Sequence, residues 1–172
     1  MNIVFKNFRR ILINSGPLLL LYYLSISDIE VSFENTFQIL SFNIQLIIIY
    51  YWMLKDADIL GSGHIFVAGL INDVVMGLPL GVSPISYLVV AFFASYVKNV
   101  TVNTSLFTDW FTFFLAVFFS NIVFLIFLIN FTEIQVKYID IFYNSFFTIL
   151  FYPFFWLIFN IYKTMMLIKQ DG

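Results

Sequence analysis

The sequence contains no cysteine, one histidine and few charged residues. The absence of cysteine excludes a disulfide, a thiolate metal site and a cysteine nucleophile. The chain has one histidine, His64, and no pair of carboxylates at i, i+3 or i+4 spacing within an apolar segment. The ligands of a metal site are therefore missing as well. We therefore expect no metal and no other cofactor.

Charged residues make up 10% of the 172 residues, and 62% are hydrophobic. A soluble domain carries about 25% charged residues, so this chain has too few to cover a water-exposed surface. Lipid must be the solvent for most of that surface. A net charge of −2 and a single short basic cluster, Lys6–Arg9–Arg10, argue against nucleic-acid binding. The composition predicts an all-α integral membrane protein.

Polar residues divide the chain into six apolar segments, which we predict to form one membrane domain over residues 1–172 as a bundle of six transmembrane helices. The predicted spans are residues 10–27, 36–54, 62–76, 80–97, 106–129 and 141–162. A cleaved signal peptide over the first segment is an alternative that would leave five spans.

The third and fourth spans come from the 34-residue stretch His64–Val97. As one straight helix it would be about 51 Å long, against a hydrocarbon core of about 30 Å. Gly77, Leu78 and Pro79 predict a turn inside it. A short hairpin, broken by glycine and proline, is therefore the better prediction, although full crossing of both arms is not implied.

The lysines and arginines predict the orientation of the chain. With the hairpin, seven of the eight basic residues share one face and only Lys137 lies on the other, whereas a single span in its place would give five against three. Because cytoplasmic loops carry the excess of lysine and arginine, we expect a multi-pass protein of the inner membrane with both termini cytoplasmic.

Asp73 is the only acid well inside an apolar segment. A carboxylate there costs about 2.5–3.5 kcal/mol on insertion scales, so it should not face lipid. Gly69, Asp73 and Gly77 follow one another at helical i, i+4 spacing and share one face, where glycines allow a close approach. Two interpretations remain open: Asp73 contacts a partner or ligand, or it makes a hydrogen bond that fixes the bundle.

Other polar and aromatic residues favour structural roles. Asp109 opens the fifth span, where an acid complements the helix dipole, and we expect Asp73→Ala to impair function more than Asp109→Ala. The run Tyr50–Trp52 predicts an interfacial aromatic belt, and Pro153 predicts a kink in the last span. Asparagines at membrane depth most often bond neighbouring helices, and the lining of a small-molecule cavity is the alternative.

Catalytic sets are missing from the sequence. A Ser–His pair needs two side chains held rigidly within reach, and His64 lies beside Ser62 in a glycine-flanked segment. An intramembrane aspartyl protease needs two buried aspartates, and the sequence offers one. We therefore predict that the protein is not an enzyme.

A motif follows the second predicted span: Tyr51-Trp52, and then Gly69, Asp73, Gly77, Leu80 and Gly81, in the form G-x-x-x-D-x-x-x-G-x-x-L-G. This motif resembles the core of the rod shape-determining protein MreD family. The final span, with Pro153 and Trp156 before a basic tail, is similar to that family as well, as are length and predicted topology. Two departures are the loop Lys55–Asp58, where the family usually has a proline, and an only mildly basic tail.

The resemblance implies a non-enzymatic subunit of the bacterial cell-elongation machinery, which works with MreC, actin-like MreB and the lateral-wall peptidoglycan synthases. It also implies a fold similar to the substrate-binding subunits of energy-coupling-factor transporters. The candidate structural or partner-contact residues are Tyr51, Trp52, Gly69, Asp73, Gly77, Leu80, Gly81 and Pro153. The alternative is a vitamin-binding transporter subunit, which predicts a closed polar cavity.

Overall fold

The computed structural model describes residues 15–27, 42–101, 105–131 and 138–168. In these ranges the chain forms six α-helices, which are α1 (Gly16–Ile26), α2 (Ile44–Lys55), α3 (Ala57–Met76), α4 (Val82–Val100), α5 (Leu106–Phe131) and α6 (Tyr138–Ile168). The predicted all-helical class is confirmed for this part of the chain.

Three of these helices, α3, α5 and α6, are long and apolar enough to cross a membrane. Helices α1 and α2 are apolar but shorter, with 11 and 12 residues. A 12-residue helix is about 18 Å long, less than the thickness of the hydrocarbon core. The helices agree with a helical membrane protein, and a bundle of six spans stays a prediction.

Helix α2 begins later than the predicted span start at residue 36. Asn43 is its N-cap, with extended backbone and a side-chain oxygen that accepts a hydrogen bond from the Leu46 N–H at 3.2 Å. A cap of this kind satisfies one of the free N–H groups of the first turn and so fixes where the helix starts. Residues 10–14 and 36–41 of the predicted spans lie outside the described residues, as do Lys6, Arg9, Arg10, Lys137 and Lys169.

Helix α2 forms the centre of the bundle. Its nine residues from Leu46 to Leu54 are all buried, and it packs against α1, α3, α4 and α6. A helix covered on every side can be apolar around its whole circumference. This position explains why α2 carries no polar stripe.

Tyr51 and Trp52 lie in this core, at 0% and 1% exposure, and Tyr50 is equally buried. The predicted interfacial aromatic belt is therefore wrong for these three residues. Their rings are covered by α6, where Phe159 lies 5.3 Å from the Tyr51 ring and Tyr162 lies 6.1 Å from the Trp52 ring, measured between centroids.

The outer surfaces of α5 and α6 are strongly apolar. Large side chains more than half exposed include Phe107, Phe111 and Phe118 of α5 and Phe142, Phe146 and Phe154 of α6. Such a surface would be an aggregation hazard in water, and it is what a helix surrounded by lipid presents. Helix α6 continues through Pro153, and the kink predicted there stays a prediction.

Helices α3 and α4 form the predicted hairpin, and residues 77–81 make its turn. Inside α3, Gly61 has φ 59° and ψ 145°, which breaks the helix near its start. The uninterrupted helical segment therefore begins at Ser62, where the third span was predicted to begin. The pairs α3–α4 and α4–α5 both pack against each other, so α4 lies between its two neighbours in sequence.

Candidate functional site

Two sites that contain a buried carboxylate join helices in the described part of the bundle. The hairpin site consists of Gly69, Asp73, Gly77, Gly81 and Ser83, and it joins the end of α3 to the start of α4. The lysine site consists of Lys55, Asp109, Trp156 and Lys163, and it joins α2, α5 and α6. Each site contains one carboxylate with 0% exposure.

In the hairpin site, both carboxylate oxygens of Asp73 accept backbone hydrogen bonds. The Gly81 N–H donates to Oδ2 at 2.7 Å, and the Ser83 N–H donates to Oδ1 at 2.9 Å. Gly81 is the N-cap of α4, and Ser83 lies in its first turn. A carboxylate at a helix N-terminus satisfies free N–H groups and complements the helix dipole. Asp73 of α3 thus anchors the start of α4.

The turn itself depends on two glycines. Gly77 ends α3 with φ 65° and ψ 26°, and its N–H and that of Leu78 both donate to the Asp73 carbonyl oxygen. Gly81 has φ 109°. Residues with a Cβ rarely adopt these positive φ angles, so glycine at both positions lets the chain reverse within five residues.

Gly69 permits close contact between the two arms of the hairpin. A Cβ at this position would lie 2.6 Å from both the Cα and the backbone nitrogen of Pro84 in α4. Backbones approach this closely in membrane helices only where one side chain is absent. Gly69, Asp73, Gly77 and Gly81 are therefore brought together, whereas Leu80 of the same motif is 70% exposed and makes no part of the site.

These contacts are those expected if Asp73 fixes the fold, because no part of its carboxylate is exposed to a partner. The remaining predicted residues lie elsewhere. Tyr51 and Trp52 contact α6 through Phe159, and Pro153 is half-buried within α6.

In the lysine site, a buried ion pair joins α2 to α5. The Lys55 Nζ lies 2.8 Å from the Asp109 Oδ2, and the side chains are 18% and 0% exposed. The Trp156 Nε1–H donates to the same oxygen at 3.1 Å. The Lys163 Nζ donates to the Lys55 carbonyl oxygen at 2.9 Å, which adds the end of α6.

Sequence reasoning missed the lysine site, because it assigned Asp109 only to the helix dipole and treated Asp73 as the only deep acid. The structure buries both. One signal was available: Lys55 ends the second predicted span, Asp109 opens the fifth, and the predicted topology places both at the same face of the membrane. Lys98 and Lys163 lie at that face as well, so the signal did not identify the partner.

Three buried oxygens near the lysine site have no hydrogen-bond partner among the described residues: Asp109 Oδ1 and the hydroxyls of Tyr51 and Tyr152. Tyr152 stacks on Phe113 with a centroid separation of 4.4 Å, and both residues are fully buried. An unpaired buried polar group costs stability, so this part of the core is less completely satisfied than the hairpin site.

At the opposite end of the bundle from the lysine site, a cavity of about 390 Å³ opens beside the hairpin turn. Four of its lining residues are the asparagines Asn43, Asn72, Asn121 and Asn144. Within the described ranges, no group of three or more His, Cys, Asp or Glu residues could hold a metal ion.

The family of the rod shape-determining protein MreD matches residues 9–162 of the 172-residue chain. No significant match was found among curated proteins or among solved structures. The resemblance to an energy-coupling-factor subunit therefore stays a prediction, while the family resemblance is confirmed. The chain belongs to the MreD family, whose members are membrane proteins of cell-shape determination.

Proposed function

We propose that this MreD-family protein is a non-enzymatic membrane subunit of the bacterial rod complex, where it helps maintain cell shape by organising lateral peptidoglycan synthesis. The family match over residues 9–162 is the observation that carries the proposal. The partners in this proposal are an MreC-like protein, actin-like MreB and the lateral-wall synthases.

The proposed arrangement has six helices crossing the inner membrane and both termini in the cytoplasm. It is supported by the positions of the helix ends. Lys55 at the end of α2 meets Lys163 of α6, and Asp109 near the start of α5 joins them. The start of α2, the hairpin turn and the start of α6 meet around the cavity at the other end. These positions favour a chain that alternates between the two ends, as the positive-inside count requires.

A structural role is also supported by the surroundings of the polar groups. Asp73 is held by backbone N–H groups and Asp109 by a lysine, so the two buried acids do not form a catalytic dyad. His64 Nδ1 pairs with the Tyr22 hydroxyl at 2.9 Å rather than with a serine. The transporter alternative gains nothing from the family match, and mass spectrometry of the purified protein would reveal a bound vitamin.

Depletion in a rod-shaped host tests the proposal. Loss of the protein should turn rods into spheres, and a plasmid copy should restore rod shape. A Gly63→Ala copy is the matched control, since a Cβ there meets no atom within 4 Å. Cells that stay rod-shaped after complete depletion would overturn the proposal.

A further inference from the structure

The cavity at the hairpin end has the dimensions of a ligand site. Its volume is about 390 Å³, and its walls come from the starts of α2, α4 and α6, the end of α3 and the middle of α5. Small-molecule sites usually measure about 300–1,000 Å³ and lie between elements of a rigid scaffold. Five helices meeting at one cavity make a site that depends on the whole bundle.

Polar residue types are frequent in the lining for so apolar a chain, although most of the lining area is apolar. Nine of the fourteen lining residues carry a hydroxyl, carboxamide or carboxylate, and four of the nine are asparagines. Polar side chains at membrane depth are costly in lipid and are found facing a cavity or a partner. Polar residues of five helices are therefore gathered around one cavity, and several of them also form hydrogen bonds between neighbouring helices.

The cavity wall is held in place by a hydrogen-bond network. The Asn72 Oδ1 accepts from the Gln45 Nε2 at 3.2 Å, and the Asn72 Nδ2 donates to the Ser83 Oγ at 3.1 Å. The Tyr87 hydroxyl donates to the Gln45 Oε1. Side chains fixed in this way keep their orientation before a ligand arrives, which lowers the entropy lost on binding.

Free hydrogen-bonding capacity remains in the wall. The Asn121 Nδ2 donates to the Ser145 Oγ at 2.7 Å, but the Asn121 Oδ1 has no partner among the described residues. The Ser83 Oγ accepts from Asn72 and can still donate its own proton. The wall thus offers both an acceptor and a donor to a ligand.

The described lining residues offer no cation to an anionic ligand. Among them there is no lysine, arginine or histidine, and the one carboxylate is that of the exposed Asp140. A phosphate or carboxylate placed there would be desolvated without a compensating cation. Carboxamides and hydroxyls instead match a neutral ligand whose own groups both donate and accept.

We propose that this cavity binds an uncharged N-acetylated saccharide. Sugar hydroxyls and the acetamido group match the carboxamides and serine hydroxyls of the wall. The apolar side chains Leu78, Phe124 and Ile141 in the same lining suit the C–H faces of a sugar ring. A free saccharide and the head of a glycolipid present the same groups, and the test below distinguishes them. The inference does not depend on the proposed role in the rod complex.

Saturation-transfer NMR on the full chain in lipid nanodiscs tests this assignment. The probe is N,N′-diacetylchitobiose, and the comparison ligands are the cationic chitobiose without acetyl groups and the anionic N-acetylglucosamine 1-phosphate. The neutral disaccharide should bind roughly tenfold more tightly than the anionic sugar, a difference of about 1.4 kcal/mol. Equal binding of the neutral and anionic sugars, or no transfer to the neutral one, would overturn the proposal.

A cavity-filling variant locates the binding. Ile141→Trp places a larger apolar side chain in the wall without removing a polar group, and it should weaken binding of the disaccharide roughly tenfold. Ile139→Trp is the matched control, because Ile139 lies on the same helix, is 69% exposed and does not line the cavity. Unchanged binding by Ile141→Trp, in a protein whose unfolding curve matches that of the control, would place the sugar elsewhere and refute the site.

If Ile141→Trp does not fold, Asn121→Leu gives a second test. It removes the Asn121 Oδ1 acceptor from the cavity wall and should weaken binding of the neutral disaccharide; unchanged binding refutes the assignment. Competition by a glycolipid carrying the same disaccharide distinguishes the two sources, since a lipid-anchored head should compete better than the free sugar.

A host that stays rod-shaped without the protein would overturn the proposed function and leave these binding results standing.

Discussion

Asp73 and Asp109, the two fully buried carboxylates among the described residues, obtain their partners in opposite ways. Asp73 accepts from backbone N–H groups eight and ten residues further along the chain. Asp109 bonds the side chain of Trp156, 47 residues away, and the side chain of Lys55 on another helix. The first site is local and made by the backbone. The second is assembled from three helices, and a single substitution can remove either partner.

The sites also differ in completeness. Each oxygen of Asp73 has its own donor, whereas both bonds of Asp109 go to Oδ2 and its Oδ1 lacks a partner among the described residues. Two donors on two oxygens hold a carboxylate in one orientation, which suits a turn of fixed geometry. At the lysine site both bonds go to the Asp109 Oδ2, so the stability of this site should be more sensitive to the loss of the Lys55 cation.

Lys55→Met should have the largest effect, because it leaves the Asp109 carboxylate buried without its cation. Breaking a buried ion pair from one side costs about 3–5 kcal/mol. The free energy of unfolding in mixed dodecylmaltoside–SDS micelles, followed by tryptophan fluorescence, measures it. Lys98→Met, at an exposed lysine of α4, is the control and should change little.

The double variant Lys55→Met/Asp109→Leu should recover most of the lost stability, since apolar replacement of both partners is often neutral. If Lys55→Met is as stable as Lys98→Met, the ion pair does not hold α2 to α5.

Asp73→Ala should have the next largest effect. It removes two hydrogen bonds to a charged acceptor and leaves the Gly81 and Ser83 N–H groups unpaired, at a cost of about 3 kcal/mol. Asp109→Ala should cost less, because Lys55 is 18% exposed and its ammonium can turn towards water. Unfolding in micelles and rescue of rod shape in depleted cells measure both variants, and indistinguishable losses would contradict this order.

The contrast between the two sites explains what the sequence could predict. The glycine–aspartate spacing pointed to the hairpin because the partners of Asp73 are local, and apolar length placed the start of the fifth span at residue 106, where α5 begins. The Lys55–Asp109 pair requires knowledge of which helices are neighbours, and the sequence offers several lysines at that face.

The same reason applies to the aromatic residues and to the cavity. The sequence around Tyr51 and Trp52 does not distinguish rings that face lipid from rings that pack against a helix. Only the position of α6 shows that these two rings are covered. Four asparagines on different helices give no spacing pattern, so the cavity they line emerges only from packing.

Gly69→Ala should separate close packing from the hydrogen bonds of the hairpin site. The added Cβ would lie 2.6 Å from the backbone of Pro84, which cannot move without moving α4. Overpacking of this kind costs about 1–3 kcal/mol. Gly63→Ala on the same helix is the control, because its Cβ meets nothing within 4 Å. Equal unfolding free energies for the two variants would show that the arms of the hairpin can separate freely.

Gly77→Ala should have the smallest effect, and its cause is conformational alone. A Cβ at Gly77 meets no atom within 4 Å, but the residue has φ 65°. A left-handed conformation costs an L-residue roughly 1–2 kcal/mol, and asparagine tolerates it better than alanine does. Gly77→Asn should therefore be more stable than Gly77→Ala in the same micelle assay. If the two variants lose equal stability, the positive φ is not the reason for glycine at this turn, and the Asp73 carboxylate alone would have to hold the hairpin closed.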